Sequence, residues 1–465
     1  MRIAVLGGGP GGYAAAFEAA RLGAQVTLVE RDRLGGTCLN RGCVPAKTIL
    51  RSAHIVKDTA EAAEFGLNAT TATVDIDRLR ARKEGIVDEL VGQVEATAKR
   101  LKVEVIYGDG KLMGADKLLV DLAEGGTQIV DCDAVILATG SIVFKLPCID
   151  HGLEGVWTSD DAVALNEIPR DIVIIGGGVI GLEFACAYAA FGAKVTVVEA
   201  MPQVLPGNDK RVVKLTQARL EGMGVEFALA DGIAGVERLD TGRMRSTLQS
   251  GTTFESDIVL SAVGRVPNSA DLGFSEVGLE FDRRALKVDE HFRTNVPGIY
   301  AIGDLIGGMM LAHVAEEEGV LAARNAVTAL REASGEPVPA YETMCYDCIP
   351  ACVYTFPEVG VVGSSRDSAK ERGIDAVQAV AKFAANGKAL AEGEGDGFVQ
   401  LVAEKGSGRI LGCQIVGPHA VEIIHEIAIA MKYDITVGQI AHAVHAHPTV
   451  SEVIKFAAAD AASKV

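Results

Sequence analysis

The chain has 465 residues, 49% of them hydrophobic, with 53 glycines and a formal charge of −18 at pH 7. That length exceeds what one hydrophobic core serves and predicts about two to four domains, while an apolar, glycine-rich and aromatic-poor composition suits α/β layers and excludes disorder. The acidity excludes a nucleic-acid partner, since clustered Lys and Arg are what displace phosphate counterions, and is read as solubility.

A strand is expected at once, at Arg2–Leu6. With no charged leader or apolar signal core before it, and no apolar run long enough to cross a bilayer, a cytoplasmic protein without membrane contact is expected. Nine cysteines in so long a chain are too sparse and odd for a secreted disulfide framework, so a special cysteine is expected to be catalytic.

Ile3–Glu30 and Ile172–Glu199 superpose without a gap. Each reads as a β-branched strand, Gly-x-Gly-x-x-Gly, an Ala-rich helix, a Gly-Ala turn and a second strand ending in an acid. In the first copy the glycines are Gly7, Gly9 and Gly12; in the second they are Gly176, Gly178 and Gly181. The first of each set turns the chain, the second lets backbone approach a pyrophosphate, and the third lets helix pack on strand. A helix N-terminus then receives the phosphates, and Glu30 and Glu199 stand where ribose hydroxyls would reach them. Both copies are expected to bind dinucleotides. A carboxylate at Glu199, with no Arg in the following Ala200–Leu205, favours NAD over NADP.

After the first copy comes Leu34-Gly35-Gly36-Thr37-Cys38-Leu39-Asn40-Arg41-Gly42-Cys43-Val44-Pro45-Ala46-Lys47. Positions five apart lie about 140° apart round a regular helix, so Cys38 and Cys43 can bond only where the helix is distorted, and Gly42 and Pro45 are candidate places. A zinc site fits poorly because no further ligands stand at a compatible spacing. The two cysteines read as a redox pair facing a flavin, with a thiolate favoured near a helix N-terminus.

This segment resembles the signature of the pyridine nucleotide-disulfide oxidoreductases, and in particular of the members that oxidise dihydrolipoamide. The likeness continues through Ala138-Thr139-Gly140, Ala262–Asn268 and Asn295–Asp304. It implies FAD in the first copy and NAD in the second. Gly36, Thr37, Lys47, Thr139, Gly140, Asp304, Ala312 and His313 would join the FAD site, with Asp304 on the ribityl chain; Gly264 would join the NAD site. Leu311–Gly319 would be a helix whose N-terminus faces the flavin ring, favouring an anionic reduced flavin through its dipole. Lys47 and Glu183 would form an ion pair near the flavin and nicotinamide, a pairing their positions alone do not suggest.

Near the C-terminus, Ala443–Glu452 includes His445, His447, Pro448 and Glu452. Thiol exchange needs a deprotonated thiol; imidazole has a suitable pKa, and a carboxylate can orient its ring. His447 is read as the base, Glu452 as its orienter and His445 as support. The family resemblance implies that this dyad reaches the disulfide of the other subunit, making a homodimer a condition of catalysis. Cys345-Tyr346-Asp347-Cys348, close to Cys352, is a Cys-x-x-Cys that departs from the family pattern; it is read as thiols without chemistry, with a second redox couple or a metal site as the alternatives.

The expected architecture is α/β, with two Rossmann-like domains and a C-terminal α+β interface domain: residues 1–147 for FAD and the redox pair, 148–268 for NAD, 269–340 returning to the central FAD region, and 341–465 for dimerisation. The expected activity is oxidation of protein-bound dihydrolipoamide with hydride transfer to NAD+, on a lipoyl-bearing subunit of a 2-oxoacid dehydrogenase or glycine-cleavage complex. Alternatives are another NAD(P)H-dependent flavin disulfide reductase, an NADH oxidase or diaphorase, and, in a different class, a redox-inactive flavoprotein scaffold. No metal is expected.

Overall fold

The first sheet has seven strands, in the order Ile299–Ala301, Ala134–Leu137, Arg2–Leu6, Gln25–Glu30, Glu104–Gly114, Lys117–Leu122 and Thr127–Asp131. The computed structural model describes residues 1–70 and 72–465. The first five strands run parallel and the last three form an antiparallel meander. Side chains alternate across a strand, so Arg2–Leu6 serves two cores at once. Ile3 and Val5 face the helices Pro10–Arg21 and Ala312–Ala333, with Phe17, Leu321 and Ala322. Ala4 and Leu6 face the other way, toward Leu112, Leu118, Val120 and Phe274.

A second, all-parallel sheet orders Glu226–Leu229, Lys194–Glu199, Asp171–Ile175, Ile258–Ser261 and Val156–Trp157. Ile172, Ile174, Val195 and Val197 pack under the helix Val179–Ala190, and Ile49, Leu50 and Ala53 of the helix Cys43–Ala60 enter the same core. The helix that starts at Cys43 is therefore anchored on the second unit. A two-stranded link, Ser141–Val143 antiparallel to Arg265–Pro267, also ties the units together. After this link the chain returns to the first sheet, adding Ile299–Ala301 beside Ala134–Leu137.

The C-terminal unit is a five-stranded antiparallel sheet, ordered Pro350–Val353, Glu358–Gly363, Ile410–Gly417, Phe398–Glu404 and Ala376–Lys382. Helices Ala420–Lys432 and Glu452–Ala462 share its core through Ile424, Ile427, Val453 and Ile454. Among the described residues no helix is long and apolar enough to cross a membrane.

Candidate active site

The two glycine motifs build the same bed twice. Gly7 and Gly176 turn with φ of +106° and +110°, and a Cβ there would stand 2.3 Å from the Ala138 carbonyl oxygen and 2.4 Å from that of Ala262. At Gly12 and Gly181 it would stand 1.8 and 2.0 Å from the carbonyl oxygens of Gly7 and Gly176, so helix meets strand at backbone contact. The middle glycines differ: Gly9 has only the Gly36 Cα, at 3.8 Å, and Gly178 has nothing within 4 Å. Each lies at the start of a helix, Pro10–Arg21 or Val179–Ala190, where free N–H groups collect. An open cradle at a helix N-terminus fits a pyrophosphate twice over.

The strand-end acids brace these loops. Glu30 Oε2 accepts from Gly8 N at 2.7 Å and its Oε1 from Asp32 N at 2.9 Å. Glu199 repeats this with Gly177 N at 2.7 Å and Met201 N at 2.8 Å. A carboxylate has about four acceptor sites, so each acid retains capacity for ribose hydroxyls after fixing its loop. Sequence reasoning missed the bracing role, although its signal was present in the identical spacing from motif to acid.

Around the first bed, Gly36 opens the helix Gly36–Arg41 against Gly9, where a Cβ would come within 2.6 Å of the Gly9 Cα. Thr139 Oγ1 donates to the Asn268 carbonyl at 2.8 Å, and Gly140 accepts from Asn268 N at 2.9 Å. Gly264 takes φ +107° with open space at its Cα. A relay absent from the sequence reading links these loops: Arg265 Nε donates to Ser141 Oγ at 2.8 Å, which donates to Asp304 Oδ2 at 2.5 Å. Arg265 also reaches Thr37 Oγ1 at 3.5 Å. The helix Ala312–Ala333 begins beside this region and carries Glu318, only 3% exposed. Glu318 accepts from Gly303 N at 2.7 Å and from the Tyr346 hydroxyl at 2.7 Å; burial pushes its carboxyl up. His313 Nε2 lies 2.8 Å from the Pro350 carbonyl oxygen, tying that helix's start to the C-terminal sheet.

The cysteines sit on either side of a break. Helix Gly36–Arg41 ends and helix Cys43–Ala60 begins at Gly42, whose φ and ψ are −131° and −115°. A Cβ on Gly42 would stand 2.8 Å from the Thr37 carbonyl oxygen, so the break needs a glycine. Pro45, by contrast, lies in the regular first turn, where its missing N–H costs nothing. Cys38 is half-buried and Cys43 exposed. The neighbouring Cys43 thiol, then burial, pushes the Cys38 thiol far up. The Cys38 thiol, offset by burial and helped by the Lys47 charge, brings Cys43 down to about 7. Lys47 Nζ lies 2.9 and 2.8 Å from the two carboxylate oxygens of Glu183, and 4.3 Å from the centroid of the Tyr354 ring. Tyr354 N also donates to Glu183 Oε1, at 3.1 Å. Tyr354 is a further residue that the sequence did not single out.

At the C-terminal end, His447 Nδ1 lies 2.9 Å from Glu452 Oε1, and Thr449 N donates to Glu452 Oε2 at 3.0 Å. These two contacts hold the Glu452 carboxyl below its ordinary range, so it stays an anion that fixes the ring and leaves Nε2 free to take a proton. The His447 side chain is 79% exposed, whereas His445, 10% exposed, is locked to Glu426 at 2.9 Å. Among the described residues no hydrogen bond joins His447 to Cys38 or Cys43 of its own chain. No group of three or more His, Cys, Asp or Glu side chains among them is arranged to hold a metal.

Comparison with known proteins agrees with this construction. Residues 1–319 match the pyridine nucleotide-disulphide oxidoreductase family, and residues 349–458 match the dimerisation domain of that family. The dihydrolipoyl dehydrogenase of Haloferax volcanii is 40% identical over 99% of this chain and 96% of its own length. The leghemoglobin reductase of Vigna unguiculata is also 40% identical, over 98% of this chain and 86% of its own. Among solved structures, LpdA from Mycobacterium tuberculosis superposes with a TM-score of 0.91 at 30% identity, covering 99% of both chains. A flavin and a pyridine nucleotide are the cofactors that such a family implies, and both beds fit them. The chain belongs to the pyridine nucleotide-disulphide oxidoreductases.

Proposed function

We propose that the chain is a dihydrolipoyl dehydrogenase, with FAD in the first bed and NAD+ in the second, acting on a dihydrolipoyl group carried by another protein. The observation that carries this reading is the Cys38/Cys43 pair at the Gly42 break, on helices that touch both dinucleotide beds. It is supported by full-length relatives of that name, including those of Haloferax volcanii and Bacillus subtilis. Glu199, with no nearby Arg to receive a 2′-phosphate, supports NAD over NADP.

In this reading the resting enzyme holds a Cys38–Cys43 disulfide. His447, oriented by Glu452, takes the proton from one substrate thiol. The thiolate attacks Cys38 Sγ, a mixed disulfide forms, and Cys43 leaves as a thiolate that Lys47 stabilises. The second substrate thiol loses its proton to solvent, and its thiolate attacks the substrate sulfur bound to Cys38, closing the lipoyl disulfide and releasing the Cys38 thiolate, which takes the proton held on His447. A flavin bound in the first bed supplies the two-electron relay from this dithiol to a nicotinamide in the second. Lys47 and Glu183 keep opposite charges in place at that junction, and the Arg265–Ser141–Asp304 relay aligns the flavin side.

The exposed ring of His447, unattached to its own cysteines, supports a site shared between two subunits, as does the match of residues 349–458 to a dimerisation domain. A second reading, reduction of a different acceptor by NADH, rests on the leghemoglobin reductases of Vigna unguiculata and Glycine max. Anaerobic mixing with dihydrolipoamide, without NAD+, separates the two. The main reading predicts that Cys38 and Cys43 become alkylatable within the mixing time and that glutathione fails to do this. Cysteines that stay blocked would remove it.

A further inference from the structure

The proposed reaction leaves Cys345 and Cys348 unused. They bracket the short 3-10 turn Tyr346–Cys348, on the connection from helix Ala312–Ala333 to strand Pro350–Val353. Cys348 N donates to the Cys345 carbonyl oxygen at 3.4 Å, and the two Sγ atoms lie 3.0 Å apart. An S–S bond is about 2.05 Å long, so the sulfurs need approach by only about 1 Å. The turn is already held in place on both sides. Tyr346 donates to the buried Glu318 at 2.7 Å, and Pro350 receives His313 at 2.8 Å. Through Glu318 the turn is also linked to Gly303 N, next to Asp304.

The two thiols are unequal. Cys345 is exposed and Cys348 half-buried. Burial, followed by the hydrogen bond and charge of Cys345, pushes Cys348 up to about 12. Cys352 is directed elsewhere, its Sγ lying 3.9 Å from the Val421 carbonyl oxygen, and burial pushes it up to about 11. Nothing among the described residues completes a metal-binding set round the pair.

We propose that Cys345 and Cys348 form a second dithiol–disulfide couple, separate from Cys38 and Cys43, that exchanges with small-molecule disulfides. The exposed Cys345, as its thiolate, attacks one sulfur of R–S–S–R. A Cys345–S–R bond forms and RS⁻ leaves, taking up the proton that Cys345 gave to solvent. Capping Cys345 removes its charge from beside Cys348, easing loss of the second proton. Cys348 then attacks Cys345 Sγ and releases the second RS⁻, which is protonated in turn. Two protein thiols are oxidised and one disulfide is reduced to two thiols.

The test uses the holoenzyme, first reduced and desalted, then given excess glutathione disulfide, alkylated and digested with trypsin. Residues 332–366 form one tryptic peptide, holding Cys345, Cys348 and Cys352 and no other cysteine. The couple predicts a single alkyl group on that peptide, at Cys352, in the wild type and equally in Cys38→Ser, where the proposed catalytic pair is absent. Cys348→Ser should retain a glutathione adduct on Cys345. Alkylation of all three cysteines, under conditions that oxidise Cys38 and Cys43, would overturn the proposal, as would a bond linking Cys352 to either partner. Neither outcome bears on dihydrolipoamide turnover, so the two readings fail separately.

Discussion

Lys47 Nζ lies 2.8 Å from Glu183 Oε2, joining the helix that begins at Cys43 to the helix that begins just past Gly178. One ion pair thus fixes the helix that carries Cys43, the proposed redox cysteine, against the second bed, and its Lys47 charge helps lower the Cys43 thiol.

Cys43 is brought down to about 7, and the charge of Lys47 contributes. A depressed thiol pKa means that the anion persists at neutral pH and is lost as pH falls through about 7. In reduced enzyme, the rate of Cys43 alkylation should fall about tenfold for each unit below that point, since only the thiolate reacts. Lys47→Met should move the midpoint upward. It should also cost about 1–3 kcal/mol of stability, because Glu183, 7% exposed, keeps among the described residues only the Tyr354 N–H as partner. Thiol alkylation against pH and urea unfolding check the two effects.

Cys43→Ser should bind FAD yet lose turnover with dihydrolipoamide. The hydroxyl neither forms a disulfide with Cys38 nor leaves as a stable anion. Flavin absorbance together with NADH formation checks it, and substantial turnover would refute the sequence of thiol exchanges.

His447→Gln should lower turnover by about 10²–10⁴-fold, the usual contribution of a positioned base. Glu452→Gln should lower it less, since the ring remains while its anionic orienter is lost. If the site is shared between subunits, mixed dimers of Cys43→Ser with His447→Gln should regain activity, because one of their two sites is intact. Co-expression of the two inactive variants with different tags checks it.

The middle glycine of the second bed separates folding from binding. At Gly178 an added Cβ meets no atom of the described residues within 4 Å, whereas at Gly181 it would stand 2.0 Å from the Gly176 carbonyl oxygen. Gly178→Ala should therefore fold and hold FAD while weakening NAD+ by about tenfold or more, about 1.4 kcal/mol. Gly181→Ala should lose soluble folded protein. Thermal unfolding and NAD+ titration of the two variants distinguish these effects.

Much of the site was legible because its chemistry is local in sequence. The glycine spacings, the acid ending each second strand, the Cys38 to Cys43 interval and the His447 to Glu452 interval each lie within about one supersecondary unit. The relations that were not legible from position run between units. Lys47 and Glu183 are 136 positions apart, and Ser141 and Asp304 are 163 apart. Only the family resemblance paired the first two, and nothing suggested the second. Ser141 carries no pattern of its own, and Tyr354 acts through a backbone N–H that any residue supplies. The Cys345/Cys348 spacing is visible in the sequence, but the anchoring of its turn by Tyr346 on the buried Glu318 is not.

The most direct measurement is steady-state NAD+ reduction by the FAD-loaded protein with dihydrolipoamide, with NADP+ and with glutathione run in parallel. The account predicts rapid NADH formation with dihydrolipoamide and NAD+, a preference of at least about 100-fold over NADP+, equivalent to about 2.7 kcal/mol, and no glutathione-dependent rate. Negligible NADH formation from dihydrolipoamide, alongside fast oxidation of NADH by another acceptor, would contradict it.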